Sequence, residues 1–187
     1  MNHSPFKSPI YRVLAVLLDY PDEHFSEVLD EIRGFLESAA GHTIEDAQRI
    51  IKVIEWMSQQ PLLELQQTYG EIFDFAPDHS LHMTYHLLEE QDRRRGPALI
   101  KLAEHYRTAG LHLARRELPD YLPAILEYAS TMEATAAANF LLEADEAVAV
   151  LEKNLQATDT PYLVLVSAIR QQVKVDTTET MAVAGEA

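Results

Sequence analysis

The stretch Asp22–Leu36, DEHFSEVLDEIRGFL, decides the fold class of this 187-residue chain. Its apolar residues recur at intervals of three and four, which places them along one face of an α-helix. They are Phe25, Val28, Leu29, Ile32, Phe35 and Leu36. Asp22 precedes them, where an aspartate commonly caps a helix N-terminus. The stretch therefore predicts an amphipathic helix with one face in a core.

Similar signals divide the rest of the chain into about nine helices. The expected helix starts are Ser8–Pro9, Asp22, Thr43, Pro61, Ser80, Gly96–Pro97, Asp120, Glu133 and Thr160–Pro161, with a break near Ala144 in the Glu133 segment. The Ser80 helix should reach about Glu90, and the last helix should end near Val173. No strand-like alternation is present, so we expect an all-α, single-domain bundle over residues 1–173 and a disordered tail over 174–187.

Charge and composition limit the function. The chain has 30 acidic and 15 basic residues, which gives a formal net charge of −15. This charge disfavours binding to nucleic acid and favours cationic partners. The alternative is that the charge only keeps the protein soluble. The absence of cysteine excludes disulfides and thiolate metal sites. No apolar run approaches the ~20 residues of a membrane span, and no cleavable signal peptide is recognisable. We expect a cytoplasmic protein without stable membrane insertion.

Catalytic and metal-binding patterns are weak. His79, His82 and His86, with Glu89 and Glu90 following, could supply ligands to zinc or to a di-metal carboxylate centre. However, the chain has no HExxH motif, no nucleophile elbow and no glycine-rich phosphate loop. The polar face of an amphipathic helix explains the histidines more simply. We predict neither a catalytic residue nor a metal site, with a His/Glu metal-binding helical protein as the alternative.

Two segments stand out from this background. Thr84–Leu102, TYHLLEEQDRRRGPALIKL, concentrates three arginines before a helix start, where the helix dipole disfavours cations. We expect nearby carboxylates such as Glu89, Glu90 and Asp92, or a partner's acid, to offset them, and we interpret the cluster as a charged connector between helices. Arg116–Pro123, RELPDYLP, carries two prolines that should fix the angle at which the chain enters a helix.

Three motifs resemble, in order, those of the NarJ-type chaperones, the respiratory nitrate reductase delta subunits. They are LLDYPDE (17–23), YGEIFDFAPDHSLHMTYHLLEEQDRRRGPALIKLAEHYRTAGL (69–111) and RELPDYLPAILEYAS (116–130). The family's Arg-Asp-Arg-Gly is Arg93-Arg94-Arg95-Gly96 in this chain, with the acid displaced to Asp92.

The resemblance implies a function without catalysis. Such chaperones share the TorD/NarJ-like all-helical fold and bind the basic N-terminal segment of the apo catalytic (alpha) subunit of nitrate reductase. They assist insertion of the molybdenum bis-(molybdopterin guanine dinucleotide) cofactor before membrane attachment, and hold no cofactor stably themselves. A monomer or weak dimer is expected. The client could also be another molybdoenzyme of the dimethyl sulfoxide reductase family.

A basic, amphipathic leader peptide would seek an acidic groove with apolar contacts. We place this groove along residues 69–88 and 120–128. The candidate apolar contacts are Tyr69, Phe73, Tyr85, Tyr121 and Tyr128, although aromatic residues at helical spacing also suit a core. The candidate charge partners are Glu71, Asp74, Glu117, Asp120 and Glu127, and further candidate contacts are His86, Arg93, Arg95, Gly96 and Pro119.

Overall fold

Ten α-helices make up most of the computed structural model, which describes residues 7–38, 44, 46–88, 92–113 and 117–184. They are α1 (Pro9–Leu18), α2 (Phe25–Leu36), α3 (Ala47–Ser58), α4 (Leu62–Tyr69), α5 (Thr84–Leu87), α6 (Arg95–Thr108), α7 (Leu122–Ser130), α8 (Ala134–Leu142), α9 (Asp145–Leu155) and α10 (Tyr162–Ala184). A π-helix, Gly70–Asp74, continues α4, and a 3-10 helix, Pro77–His79, follows it. Within these residues no strand forms beyond an isolated bridge, so the all-α prediction is confirmed.

Helices α1 and α7 form an antiparallel pair at the centre of the fold. The start of α1 is tied to the end of α7, because the N–H groups of Lys7 and Ser8 both donate to the Ser130 carbonyl at 3.0 and 3.1 Å. The hydroxyl of Ser8 donates to the Met132 carbonyl at 2.9 Å. Ser8 therefore precedes the helix as predicted, but its side chain joins two helices instead of capping its own.

Helix α10 packs against α1, α3, α8 and α9. Its Leu165 and Val166 are fully buried, and burying an aliphatic side chain of this size contributes roughly 1.5–3 kcal/mol. The Tyr11 hydroxyl of α1 donates to Asp176 Oδ2 at 2.7 Å inside the protein. This hydrogen bond ties the α1–α7 pair to α10.

The fifth helix is much shorter than the sequence predicted. It covers only Thr84–Leu87, because His82 bridges to Tyr121 at the start of α7 and residues 81–83 form no regular helix. Met83 N–H donates to the Asp120 carbonyl at 3.0 Å, and Leu122 N–H donates to the Leu81 carbonyl at 2.8 Å. These tertiary hydrogen bonds replace the first helical turns that Ser80 was expected to cap. Glu90, the expected end, lies outside the described residues.

Other helix boundaries also differ from expectation. Helix α10 continues to Ala184 instead of ending near Val173, so residues 174–184 of the expected disordered tail are helical. Helix α2 starts at Phe25, after a turn in which Asp22 accepts the His24 N–H at 2.9 Å. The expected start of the third helix, Thr43, lies outside the described residues.

No helix in the described part of the chain, α10 included, is both long enough and apolar enough to cross a membrane.

Replacing Gly110 or Gly34 by alanine should change the free energy of unfolding in opposite directions. Gly110 ends α6 with φ +76°, a left-handed conformation that a side chain disfavours, so Gly110→Ala should lower the free energy of unfolding by about 1 kcal/mol. Gly34 lies on the exposed face of α2, where an added Cβ meets nothing within 4 Å. Gly34→Ala should therefore raise the free energy of unfolding by about 0.5–1 kcal/mol. Urea unfolding measures the free energy of unfolding of both variants. Changes of the same sign would contradict the left-handed conformation of Gly110 or the open helical position of Gly34.

Candidate functional site

A cleft of about 270 Å³ opens between α1, the start of α2 and the segment that leads into α7. Four carboxylates line it: Asp19, Asp22, Glu117 and Glu127. A neighbouring hollow of about 270 Å³, against Tyr106, shares three of these, Asp19, Glu117 and Glu127. We call the two together the acidic cleft. It brings carboxylates from three separate parts of the sequence to one surface.

A chain of hydroxyl groups fixes one wall of the acidic cleft. Tyr121 donates to Asp19 Oδ1 at 3.0 Å, and its hydroxyl oxygen lies 2.9 Å from that of Tyr69. Tyr69 in turn donates to the Leu18 carbonyl at 3.0 Å at the end of α1. Because Tyr69 is anchored in the core, this chain holds the Asp19 carboxylate at a defined position.

The carboxylates of the acidic cleft differ in how their charge is balanced. Arg12 forms an ion pair and a hydrogen bond with Glu127. Asp19 accepts the Tyr121 hydroxyl. Glu117 experiences partial burial and the negative charges of Asp19 and Glu127, which together raise its pKa. A cation placed beside Glu117 would relieve this repulsion, so the cleft is electrostatically suited to a positively charged group.

Behind this cleft, Asp120 connects two segments of the chain. Its side chain is completely buried, and it accepts hydrogen bonds from the Thr84 N–H at 3.1 Å, the Thr84 hydroxyl and His82 Nδ1 at 3.3 Å. Burial opposes its ionisation, but these hydrogen bonds outweigh burial and lower its pKa. Asp120 was expected to cap α7. It instead receives the first N–H of α5, across the bridge.

The arginine cluster forms a local connector, as the sequence indicated. The single N–H of Arg94 Nε is shared between the two carboxylate oxygens of Asp92, each at 3.1 Å, and Nη2 donates to Oδ2 at 2.6 Å. These hydrogen bonds lower the pKa of Asp92 to about 2. Arg95 Nε donates to Thr84 Oγ1 at 3.0 Å, and its guanidinium carbon lies 4.2 Å from the centre of the Tyr85 ring. Asp92, the acid displaced from the family's Arg-Asp-Arg-Gly motif, thus still forms an ion pair with an arginine of the cluster. Glu89 and Glu90 lie outside the described residues.

Some predicted contact residues belong to the interior. Tyr69 and Phe73 are only 3% and 5% exposed and pack edge-on or tilted against other aromatic rings, including Tyr162. Asp120 has no exposed surface. These burials correct the expectation that the three side chains contact a peptide directly. Their roles here are to support the cleft wall and the bridge.

The remaining predicted residues lie at several places on the surface. Glu117, Tyr121 and Glu127 meet in the acidic cleft. The others do not line it: Glu71, Asp74, Tyr85, His86, Arg93, Arg95, Gly96, Pro119 and Tyr128. Among them, Glu71 accepts Gln67 Nε2 at 2.8 Å on α4, and the Pro119 carbonyl accepts the Tyr106 hydroxyl at 2.7 Å. The predicted groove along 69–88 and 120–128 does not coincide with the acidic cleft and stays a prediction.

The three histidines do not converge on one point. His79 Nδ1–H donates to the Ile72 carbonyl at 3.2 Å, and His86 Nε2–H donates to the Ser80 carbonyl at 2.7 Å. Burial lowers the pKa of His86, against the opposing effect of that hydrogen bond. His82 is bound to Asp120. In the described part of the chain no group of three possible ligand side chains could hold a metal ion.

The sequence reasoning missed the contribution of α1 and the turn after it. Arg12, Asp19 and Asp22 line the acidic cleft, although the sequence patterns predicted only a helix start at Asp22. The signal that could have found them is the motif LLDYPDE, which places two aspartates three residues apart around a proline. Their proximity to Glu117 follows from the α1–α7 pairing, which no local pattern reveals.

Fold and cleft together define the class of this protein, an all-helical domain with a carboxylate-lined cleft on its surface. A family model described as the nitrate reductase delta subunit matches residues 22–167. The chain belongs to this family, which confirms the resemblance of its motifs.

Individual relatives agree with this assignment. The chain is 32% identical to the probable nitrate reductase molybdenum cofactor assembly chaperone NarW of Escherichia coli K12, over 87% of this chain and 67% of that protein. It is 31% identical to the nitrate reductase molybdenum cofactor assembly chaperone NarJ of the same strain, over 82% and 64%. It is 28% identical to the probable NarJ chaperone of Bacillus subtilis 168, over 85% of each chain. The chain spans about two thirds of the length of the two Escherichia coli relatives.

Replacing the buried carboxylate tests the bridge. Asp120→Asn removes the charge and presents an N–H to one of its three donors, so we expect a loss of about 2–4 kcal/mol in the free energy of unfolding. Because folding lowers the pKa of Asp120, this contribution is complete above the unfolded pKa of about 4 and disappears as the pH falls through the lower folded pKa. Chemical unfolding between pH 3 and 7 measures it.

A matched control for Asp120→Asn is Glu117→Gln, an equivalent neutralisation at an exposed position, which should change the free energy of unfolding by no more than about 0.5 kcal/mol. Equal effects of the two substitutions, or a loss that grows toward pH 3, would contradict the network.

Proposed function

We propose that the chain is an assembly chaperone for the catalytic subunit of a nitrate reductase, and that it holds that subunit through a basic N-terminal segment while the molybdenum cofactor is inserted. The observation that carries this proposal is the acidic cleft. The family assignment supports a role in nitrate reductase assembly, and the names of the relatives specify cofactor assembly.

The cleft suits a cationic segment for a physical reason. The charge of Glu117 is destabilised by partial burial and also by the negative charges of Asp19 and Glu127, so an incoming arginine or lysine gains more there than at an isolated surface acid. An arginine can bind a carboxylate through two parallel hydrogen bonds, which adds orientation to attraction. The net charge of −15 accelerates the encounter with a basic peptide at low ionic strength.

We assign the cofactor to the client. The molybdenum bis-(molybdopterin guanine dinucleotide) group is then cargo whose insertion the chaperone assists by keeping the client open, and attachment of the client to its membrane anchor is delayed until the chaperone leaves. The proposed role is that of a binding protein active in the cytoplasm, as a monomer or weak dimer, without catalysis.

Peptide titration tests the cleft. A fluorescently labelled peptide with the N-terminal sequence of the nitrate reductase catalytic subunit from the same organism is titrated against the wild type and the Asp19→Asn/Glu117→Gln variant. We expect about tenfold weaker binding of the variant at low salt, because each exposed charge pair is worth up to about 1 kcal/mol. The dependence of affinity on salt concentration should also become less steep.

The matched control is Glu71→Gln/Asp74→Asn, which makes the same change in net charge on the π-helix, away from the cleft. It should bind the peptide within about twofold of the wild type, apart from the general field effect. If both double variants lose affinity equally, the cleft has no specific role. If neither loses affinity, or the wild type does not bind, the proposed recognition is wrong.

A further inference from the structure

The acidic cleft contains a cation that belongs to the protein itself. Arg12, on α1, lines the cleft, and its Nη1 donates a hydrogen bond to the Glu127 carboxylate of α7. Among the described residues that line the hollow beside α2, the only other basic side chain is His24. Arg12 and a client cation would therefore be attracted to the same group of carboxylates.

Glu127 lies where both parts of the cleft meet. The acidic cleft consists of two hollows, one beside α2 and one beside Tyr106, and Asp19, Glu117 and Glu127 line both of them. Arg12 lines only the hollow beside α2. A cation that enters this hollow and approaches Glu127 thus meets a carboxylate whose charge Arg12 already balances.

The fold gains little from this ion pair. The side chains of Arg12 and Glu127 are 35% and 48% exposed, and water screens an ion pair at such positions, so it contributes little to stability. Helices α1 and α7 are already joined by the hydrogen bonds to the Ser130 carbonyl, and both bury leucines, such as Leu14 and Leu126. The place where the pair can have a larger effect is the cleft that it lines.

We propose that Arg12 is a built-in competitor for the client: its guanidinium occupies the Glu127 side of the acidic cleft in the free protein, and a client cation must displace it to bind there. The inference rests on the chaperone function proposed above and adds a regulatory residue to the same site. The cleft accordingly binds its client less tightly than its carboxylates alone allow.

A tethered competitor is effective because it remains beside its site. A group held on the same protein acts at an effective concentration of about millimolar, and an arginine stays charged at any physiological pH. When the client cation leaves Glu127, Arg12 can return at once, which shortens the lifetime of the complex. A chaperone has to release each client, and a built-in competitor speeds this release without a second ligand.

Peptide affinity tests the role of Arg12. The labelled N-terminal peptide of the nitrate reductase catalytic subunit is titrated against the full chain carrying Arg12→Gln. We expect about three- to fivefold tighter binding than to the wild type at low salt, as the loss of one exposed competing ion pair supplies. Most of this gain should be slower dissociation in stopped-flow measurements. Arg12→Lys keeps the charge and should bind within about twofold of the wild type.

The matched control is Arg33→Gln. Arg33 also joins two helices through a partly exposed ion pair, with Glu55 at 2.5 Å and side chains 38% and 43% exposed, and it lines neither hollow. Because it removes the same charge, this variant measures the effect of the general field of the protein. Its affinity should differ from that of the wild type by less than about 1.5-fold. Equal gains in Arg33→Gln and Arg12→Gln, or no gain in Arg12→Gln, overturn the competitor role.

Two further measurements locate the competition. Adding Glu127→Gln to Arg12→Gln should return the affinity to about that of the wild type, because the carboxylate freed by the first substitution is then removed. Each lysine or arginine of the peptide is also replaced in turn by glutamine. The gain from Arg12→Gln should vanish for one of these peptides, the one that lacks the cation bound in the hollow beside α2. A gain that persists with Glu127→Gln, or with every peptide, contradicts displacement at Glu127.

The outcomes distinguish this inference from the proposed function. If the wild type binds the peptide and Asp19→Asn/Glu117→Gln weakens binding, while Arg12→Gln and Arg33→Gln behave alike, the cleft recognises the client and only the competitor role is wrong. If neither the wild type nor Arg12→Gln binds the peptide, both proposals are wrong.

Discussion

The buried carboxylate of Asp120 is the constraint on which the junction between the segment before α5 and the start of α7 depends. An ionised carboxylate without exposed surface is strongly disfavoured unless donors surround it, and here Thr84 and His82 supply three. The donors come from residues 82–84, which are remote in sequence from the acceptor. Satisfying one charge therefore fixes the start of α5 against the start of α7.

This junction separates two surfaces of opposite character. Glu117 and Tyr121 lie on one side of the segment and contribute to the acidic cleft. Asp120 and Ile125 line a mostly apolar concavity of about 260 Å³ on the other side. The prolines at 119 and 123 restrict the backbone between them, so the segment holds both sets of side chains in fixed relative positions.

Local patterns predicted the helices whose signals are short-range. The stripe from Phe25 to Leu36 predicted α2, and the Gly96–Pro97 start predicted α6, each to within a few residues. The failures share a cause: Ser80 and Asp120 are good capping residues, and no local rule reveals that tertiary hydrogen bonds tie residues 81–83 to the start of α7 and that the aspartate is buried. The same limit applies to the site. Glu117, Tyr121 and Glu127 were found from their motif, whereas Asp19 joins them only through the packing of α1 on α7.

Net charge alone describes the acidic cleft poorly. Glu127 is neutralised by Arg12, and Asp19 is held by Tyr121, whereas Glu117 has its pKa raised by burial and by both neighbours. A ligand cation therefore interacts with carboxylates of unequal availability. At Glu127 it must compete with an existing ion pair, while at Glu117 it relieves repulsion that is already present. The local arrangement of charges, more than their sum, makes Glu117 the position in the cleft where a cation gains most.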